Sequence, residues 1–259
     1  MSTSRPLRIV FIAFCALVLL YLILPILIIV PMSFSSTRFL TFPPPALSLR
    51  WYQDYVGSSA WMQATRVTLT VALSTVAIAS PLGVAAAYAI SQSKLRIMRA
   101  IHMTLLLPLV VPIIITAVGI FFVYARVGLV ATLHILLPFM VLPLYATMQK
   151  IPRDLMQAGA SLGGDPVLVF LRVFLPLSLP GVLAGCTLVF VLSLGFYITP
   201  ELLGGGRTIM VSMLVSRNVE LYDQWGAASA VGMVLLAAVG VIFFAVSRII
   251  PLDRVLGQK

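Results

Sequence analysis

The residues able to do covalent chemistry are few and scattered. The chain carries seven acids, two histidines and two cysteines among 259 residues. Cys15 and Cys186 stand inside apolar runs, where a thiol behaves as a small hydrophobe. His102 and His134 have no partner at a catalytic or metal-ligating spacing, and a lone histidine in such a place is a packing residue before it is a proton relay. LGGGRT, Leu203 to Thr208, has glycines but places Arg207 where a phosphate loop needs lysine, with no strand before it. It reads as a flexible external turn. No Ser/His/Asp or Cys/His set stands out, so the chain is not expected to be an enzyme. What remains is recognition. One polar, turn-rich segment, QAGASLGGDPVLVFLRVFLP from Gln157 to Pro176, interrupts the apolar chain, and one acid, Glu201, follows twenty-eight uncharged positions.

The elements that must position these residues lie in a membrane. The chain is 61% hydrophobic and 9% charged, against about 25% charged in a soluble domain. Six charge-free intervals, each over twenty residues, separate Arg8 from Arg38, Arg66 from Lys94, Arg99 from Arg126, Arg126 from Lys150, Arg172 from Glu201, and Asp223 from Arg248. A bilayer core of about 30 Å takes about 20 apolar residues as helix, so each interval crosses once. The expected spans are 9–33, 65–90, 101–125, 128–148, 177–199 and 227–249, in a single all-α transmembrane domain over residues 1–259. The first run is too long for the apolar region of a cleaved signal. With the N-terminus inside, internal segments hold eleven Lys and Arg and external ones six, which predicts both termini in the cytoplasm. The net charge of +10 then reflects topology, and no nucleic-acid partner is expected.

Several local features follow. LSLRWYQDYV in the first external loop suits a short interfacial helix, with Trp51, Tyr52, Tyr55 and Trp61 as an aromatic belt. Prolines 25, 81, 108, 112, 138 and 143 mark kinks or gate points. Gly83, Ala85, Ala86, Ala87 and Ala89 permit close helix approach, in a bundle interior or at a dimer interface. No span carries a central acid or base, as an ion-coupled transporter usually does. Energy for uphill transport must come from another chain. A stand-alone channel or secondary transporter is the alternative.

The longest internal loop, 149–176, reads as helix, glycine turn, helix. Pro152 and Asp154 suit the first turn of a helix, Gly163-Gly164-Asp165-Pro166 forms a turn, and Pro166 starts a second helix. Gly163 is expected to need a backbone angle that strains a side chain.

This loop resembles that of importer permeases of the ABC transporter superfamily. Their pattern is Glu-Ala-Ala, three residues, Gly, nine residues, Ile, one residue, Leu-Pro. Here it reads Gln157-Ala158-Gly159, then Gly163, Val173, Leu175 and Pro176 at the same spacing, with Gln157 replacing Glu and Gly159 replacing Ala. LRWYQDYV, LLLPLVVP, FYITPELLGG and QWGAASA are similar to stretches of the spermidine/putrescine-type permeases. The resemblance implies a type I importer permease fold with six transmembrane helices. The loop would be the coupling helix that docks on a cytoplasmic ATP-binding subunit, present in two copies. A second permease subunit, a periplasmic solute-binding protein, membrane lipid and a small solute would be the other partners. ATP would be bound by the ATPase, with no cofactor in this chain. The span-five exit, with Tyr197, Thr199 and Glu201, is the expected substrate path for a cationic solute. Pro200 is expected to end that span.

Overall fold

The computed structural model describes residues 5–93, 95–124, 128–203 and 208–249. These residues are almost entirely helical. In order they form α1 (Arg5–Ser33), α2 (Arg50–Gly57), α3 (Ser59–Gln92), α4 (Arg96–Val110), α5 (Ile113–Tyr124), α6 (Gly128–Met148), α7 (Arg153–Ser161), α8 (Pro166–Val169), a π-helical segment (Phe170–Phe174), α9 (Leu175–Leu194), α10 (Ile198–Leu203), α11 (Val211–Tyr222) and α12 (Trp225–Ile249). Among the described residues, four continuous helices are long and apolar enough to cross a bilayer: Leu7–Ser33, Ser59–Gln92, Pro166–Leu194 and Trp225–Arg248. Two bent pairs raise the number to six. Arg96–Val110 meets Ile113–Ile120 at 107°, and Thr132–Met148 meets Arg153–Ser161 at 71°.

The third expected span, 101–125, is thus broken. Val111 adopts φ −77°, ψ 131°, because the ring of Pro112 disfavours helical geometry at the residue before it. Pro81 and Pro138, by contrast, sit inside unbroken helices. The fifth expected span, 177–199, is displaced. The helix begins at Pro166 and ends at Leu194, so Pro200 does not end it. Pro200 lies in the first turn of α10, where its missing N–H costs nothing.

The chain divides into two compact units. The first holds Met1–Met62 with Val215–Ala238. Its centre is Trp51, 4% exposed, packed with Ala227 and Ala230. The indole Nε1 donates to the Ser35 carbonyl at 2.8 Å, and a β-carbon at Gly226 would clash with the indole edge at Nε1 and Cε2. Tyr55 is buried as well. The aromatic-belt expectation therefore fails for Trp51 and Tyr55, whose rings are interior packing. LRWYQDYV and QWGAASA, far apart in the chain, meet here.

The second unit holds Gln63–Leu214 with Val239–Lys259. Its core forms around α6. One stripe of α3 is buried along Ala72, Thr75, Ala79, Gly83, Ala87 and Ile90, at the three- and four-residue steps of one helix face. A β-carbon at Gly83 would lie 2.5 Å from Met140 Cγ. On α9, β-carbons at Gly181 and Gly185 would lie 2.6 Å from Thr147 Oγ1 and 2.7 Å from Met140 Sδ. Glycines thus let α3 and α9 both approach α6 closely, which matters because apolar lipid gives helices no hydrophobic reason to associate and packing must do so. Gly83 and Ala87 serve this interior, while Ala85 and Ala89 are exposed.

Candidate functional site

The loop between α6 and α9 is built by its glycines. Helix α7 ends at Ser161, and Gly163 takes φ +80°. The Gly164 N–H donates to the Gly159 carbonyl at 3.1 Å, and the Gly163 N–H to the Ala160 carbonyl at 3.0 Å. This is a Schellman motif with glycine at the left-handed position, which satisfies carbonyls the helix end would leave open. The next helix starts at once. The Asp165 carboxylate accepts from the Val167 N–H at 3.1 Å, and Pro166 occupies the first helical position, where its fixed φ suits the helix. Every residue of Gly163-Gly164-Asp165-Pro166 therefore has a distinct backbone duty.

The two short helices interlock through one side chain. Val169 is buried against Gly159, where a β-carbon would lie 2.9 Å from its Cγ1. At Gly164 an added β-carbon would lie 2.7 Å from Val169 Cγ2 and from the Gly159 carbonyl oxygen.

The loop is tied to the spans at two points. Arg153 Nη2 donates to the carbonyls of Ser91 and Gln92 at 3.5 and 3.4 Å, at the end of α3. Farther on, Phe174 is wholly buried. The Tyr88 ring of α3 meets Phe170 and Phe174 edge-on, each at 4.9 Å. The π-helical turn carries both phenylalanines. Its wider winding precedes Pro176, which lacks an N–H and whose ring would clash with the carbonyl four residues back in a regular helix.

Of the predicted coupling residues, Gln157, Ala158, Gly159 and Gly163 share α7 and its terminal turn. Leu175 and Pro176 belong to the first turn of α9, beyond the π segment. Gln157 and Ala158 are exposed. Leu162, at the apex, is 89% exposed, and Leu155, Val167 and Leu171 are exposed as well. An apolar knob on a polar, short-helix platform is suited to a groove on a soluble partner.

At the other end of α9, the predicted path residues sit in the link after it and in α10. Tyr197 is half-buried in the link after Leu194. Thr199 is 1% exposed, and its Oγ1 is buried without a hydrogen-bond partner. Glu201 is half-buried, with Oε2 shielded from solvent, rather than a solvated helix end. Helix α10 packs against α5 and α6. The link is held by Ser212 Oγ donating to the Phe196 carbonyl at 2.8 Å, and by the buried Val211 N–H donating to Thr68 Oγ1 at 2.9 Å. Among the described residues, no group of three or more His, Cys, Asp or Glu could hold a metal ion.

Leu162 and Val169 are not legible in the sequence, because an isolated aliphatic residue carries no pattern. Gly181-Val-Leu-Ala-Gly185 did carry one: two glycines four apart in an apolar run signal a close helix contact.

The family model described as "Binding-protein-dependent transport system inner membrane component" matches residues 79–252. Over 120 residues the chain is 33% identical to the spermidine/putrescine transport system permease protein PotB of Haemophilus influenzae, covering 46% of this chain and 42% of that one. With PotB of Escherichia coli it shares 29% over 131 residues, 51% of this chain and 46% of the relative. The match thus spans less than half of each PotB. A longer match, 25% over 239 residues, covers 86% of this chain and 84% of the putrescine transport system permease protein PotI of Escherichia coli. Among solved structures, the inward-facing MetNI methionine ABC transporter gives a TM-score of 0.64 at 18% identity, over 74% of this chain and 97% of that one. A bacterial alginate ABC transporter, in complex with its alginate pentasaccharide-bound periplasmic protein, gives 0.69 at 14%, over 97% and 96%. These likenesses establish a shared fold.

Proposed function

The chain belongs to the family of binding-protein-dependent transport system inner membrane components, and we propose that it is the permease subunit of an ATP-driven solute importer. The observation that carries this reading is the loop apex. Leu162 stands almost wholly exposed beside a turn whose backbone is locked by Gly163, Gly164 and Asp165. Two copies of a cytoplasmic ATPase would bind ATP and dock on this loop and on that of a second permease subunit. A periplasmic solute-binding protein would deliver the solute.

The contacts supply a route for the stroke. A push on Leu162 bears on α7, which Val169 locks to the second short helix. From there the π segment leads into α9, and the Tyr88 contacts lead into α3. Arg153 ties α7 to the end of α3 directly. Closure of the ATPase pair would draw the two loops together and tilt α3 and α9, opening the far side. In this reading both termini and the loop are cytoplasmic, and α10 faces the periplasmic end.

The solute is a polyamine such as spermidine or putrescine, or a related small cation. The printed functions of the PotB and PotI relatives support this, as does Glu201, a half-buried acid two positions after the buried Thr199. The test is reconstitution of the chain into vesicles with and without its ATPase and second permease. Solute uptake that requires ATP and all subunits supports the reading. Uptake by this chain alone would replace it with a channel.

A further inference from the structure

A groove on the second unit has no role in this transport scheme. Helices α6, α9 and α12 enclose an apolar compartment of about 450 Å³, walled by Leu183, Ala184, Leu188, Phe243 and Val246, within the size range of small-molecule sites. Its only hydroxyls, on Thr187 and Ser247, are already donated to the carbonyls of Leu183 and Phe244, each at 2.8 Å. Each hydroxyl keeps lone pairs to accept with, but no carboxylate lines the compartment to offset the charge of a cationic solute. Pro180 is also part of the wall of a second compartment of about 310 Å³, which Thr147, Lys150, Leu155 and Leu177 line. Lys150 is exposed in the turn just beyond the end of α6, and no acid lines either compartment.

The two compartments share the Pro180 wall: one is dry and aliphatic among the spans, the other stands beside a cation just beyond the end of α6. An amphiphile with an acyl chain and an anionic head matches that gradient in both polarity and sign. A polyamine would meet only repulsion at Lys150. A neighbouring transmembrane helix would fill the apolar floor but bring no anion to the lysine. We propose that this groove binds one anionic phospholipid of the cytoplasmic leaflet, its acyl chain beside Ala184 and its phosphate at Lys150. Leu155 of α7 borders the head compartment, so the lipid touches the coupling helix. The proposal rests on the reading of the chain as a membrane-spanning permease.

The test is native mass spectrometry of the purified full-length chain with phosphatidylglycerol or phosphatidylcholine of identical acyl chains. A basic residue near a membrane surface favours an anionic lipid by about fivefold. Wild type should retain phosphatidylglycerol by about that margin, Lys150→Gln should abolish the margin, and Ala184→Phe should lower retention of both lipids. Inorganic phosphate should not compete. On the unaltered protein, phosphatidylglycerol carrying a photoreactive acyl chain should label α9 near Ala184 and α12 near Val246. Equal retention of the two lipids by wild type, or labelling confined to other helices, overturns the proposal. So does an Ala184→Phe variant that separates permease pairs while keeping its lipid, which would assign the groove to a second subunit. ATPase recovery from the same preparation separates the two readings: intact recovery without lipid preference sinks the lipid site alone.

Discussion

Gly159 and Val169 are fitted to each other across the loop: a β-carbon at Gly159 would lie 2.9 and 3.1 Å from the two Val169 methyls. The related importer pattern has alanine at this position. Gly159→Ala brings two opposing effects, a helix-propensity gain of up to about 1 kcal/mol and an overpacking cost of about 1–3 kcal/mol. Alone it should lower the thermal stability of the purified subunit. In a Val169→Ala background, where the methyls are gone, the same change should raise it. A shift of the same sign and size in both backgrounds would show that the two positions are uncoupled.

The helix contacts on α6 discriminate among glycines. Gly185→Leu must displace Met140 and should cost about 1–3 kcal/mol, read as a lower unfolding midpoint in detergent. Gly232, with nothing within 4 Å of an added β-carbon, should accept alanine without loss. Equal tolerance at both sites would contradict the close packing of α6 and α9.

How far the sequence foretold this fold depended on which forces left a local trace. The charge-free intervals located the four continuous apolar helices and the apolar helices of the two bent pairs, because the bilayer excludes charge along each span separately. The spacing from Gln157 to Pro176 located the loop, since each glycine and proline there has a backbone duty of its own. Interior contacts left no such trace. Trp51 reads as an interfacial ring in sequence, but in the fold it packs on Gly226 and Ala227. The break at Val111 was hidden because prolines 81, 108, 112, 138 and 143 look alike in sequence, yet only Pro112 coincides with a break. The shift of span five came from the π turn, which carries the helix past Pro176 and Pro180. Gly195 then ends it, five residues before Pro200.

Orientation is tested by chemical labelling. In a version with Cys15 and Cys186 replaced, single cysteines at Ser161 and Leu221, both exposed, should report opposite sides. An impermeant thiol reagent outside intact cells should reach position 221 only. Labelling at position 161 would invert the topology drawn from the loop charges.

The carboxylate of Glu201 supplies a fourth test. If it meets a cationic solute, Glu201→Gln should lower polyamine uptake while expression and ATPase assembly hold. Exposed charges are screened beyond about 10 Å at 0.1 M salt, but partly buried ones much less. With Oε2 shielded, the deficit should persist as salt is raised. Unchanged uptake at low salt would remove Glu201 from the path.

The central claim is that the α7 turn is where the ATPase docks, and Leu162 tests it most directly, because its side chain stands outside the fold. Leu162→Asp leaves the Schellman turn, the Asp165 cap and the Val169 contact in place, so the subunit should insert and keep its unfolding midpoint. Recovery of the co-expressed ATPase on the tagged permease is the measurement. The account predicts that recovery and ATP-driven uptake are both lost, as they should be for Gly163→Leu, where φ +80° would cost a side chain about 1–2 kcal/mol. Full ATPase recovery and normal uptake by Leu162→Asp would contradict it.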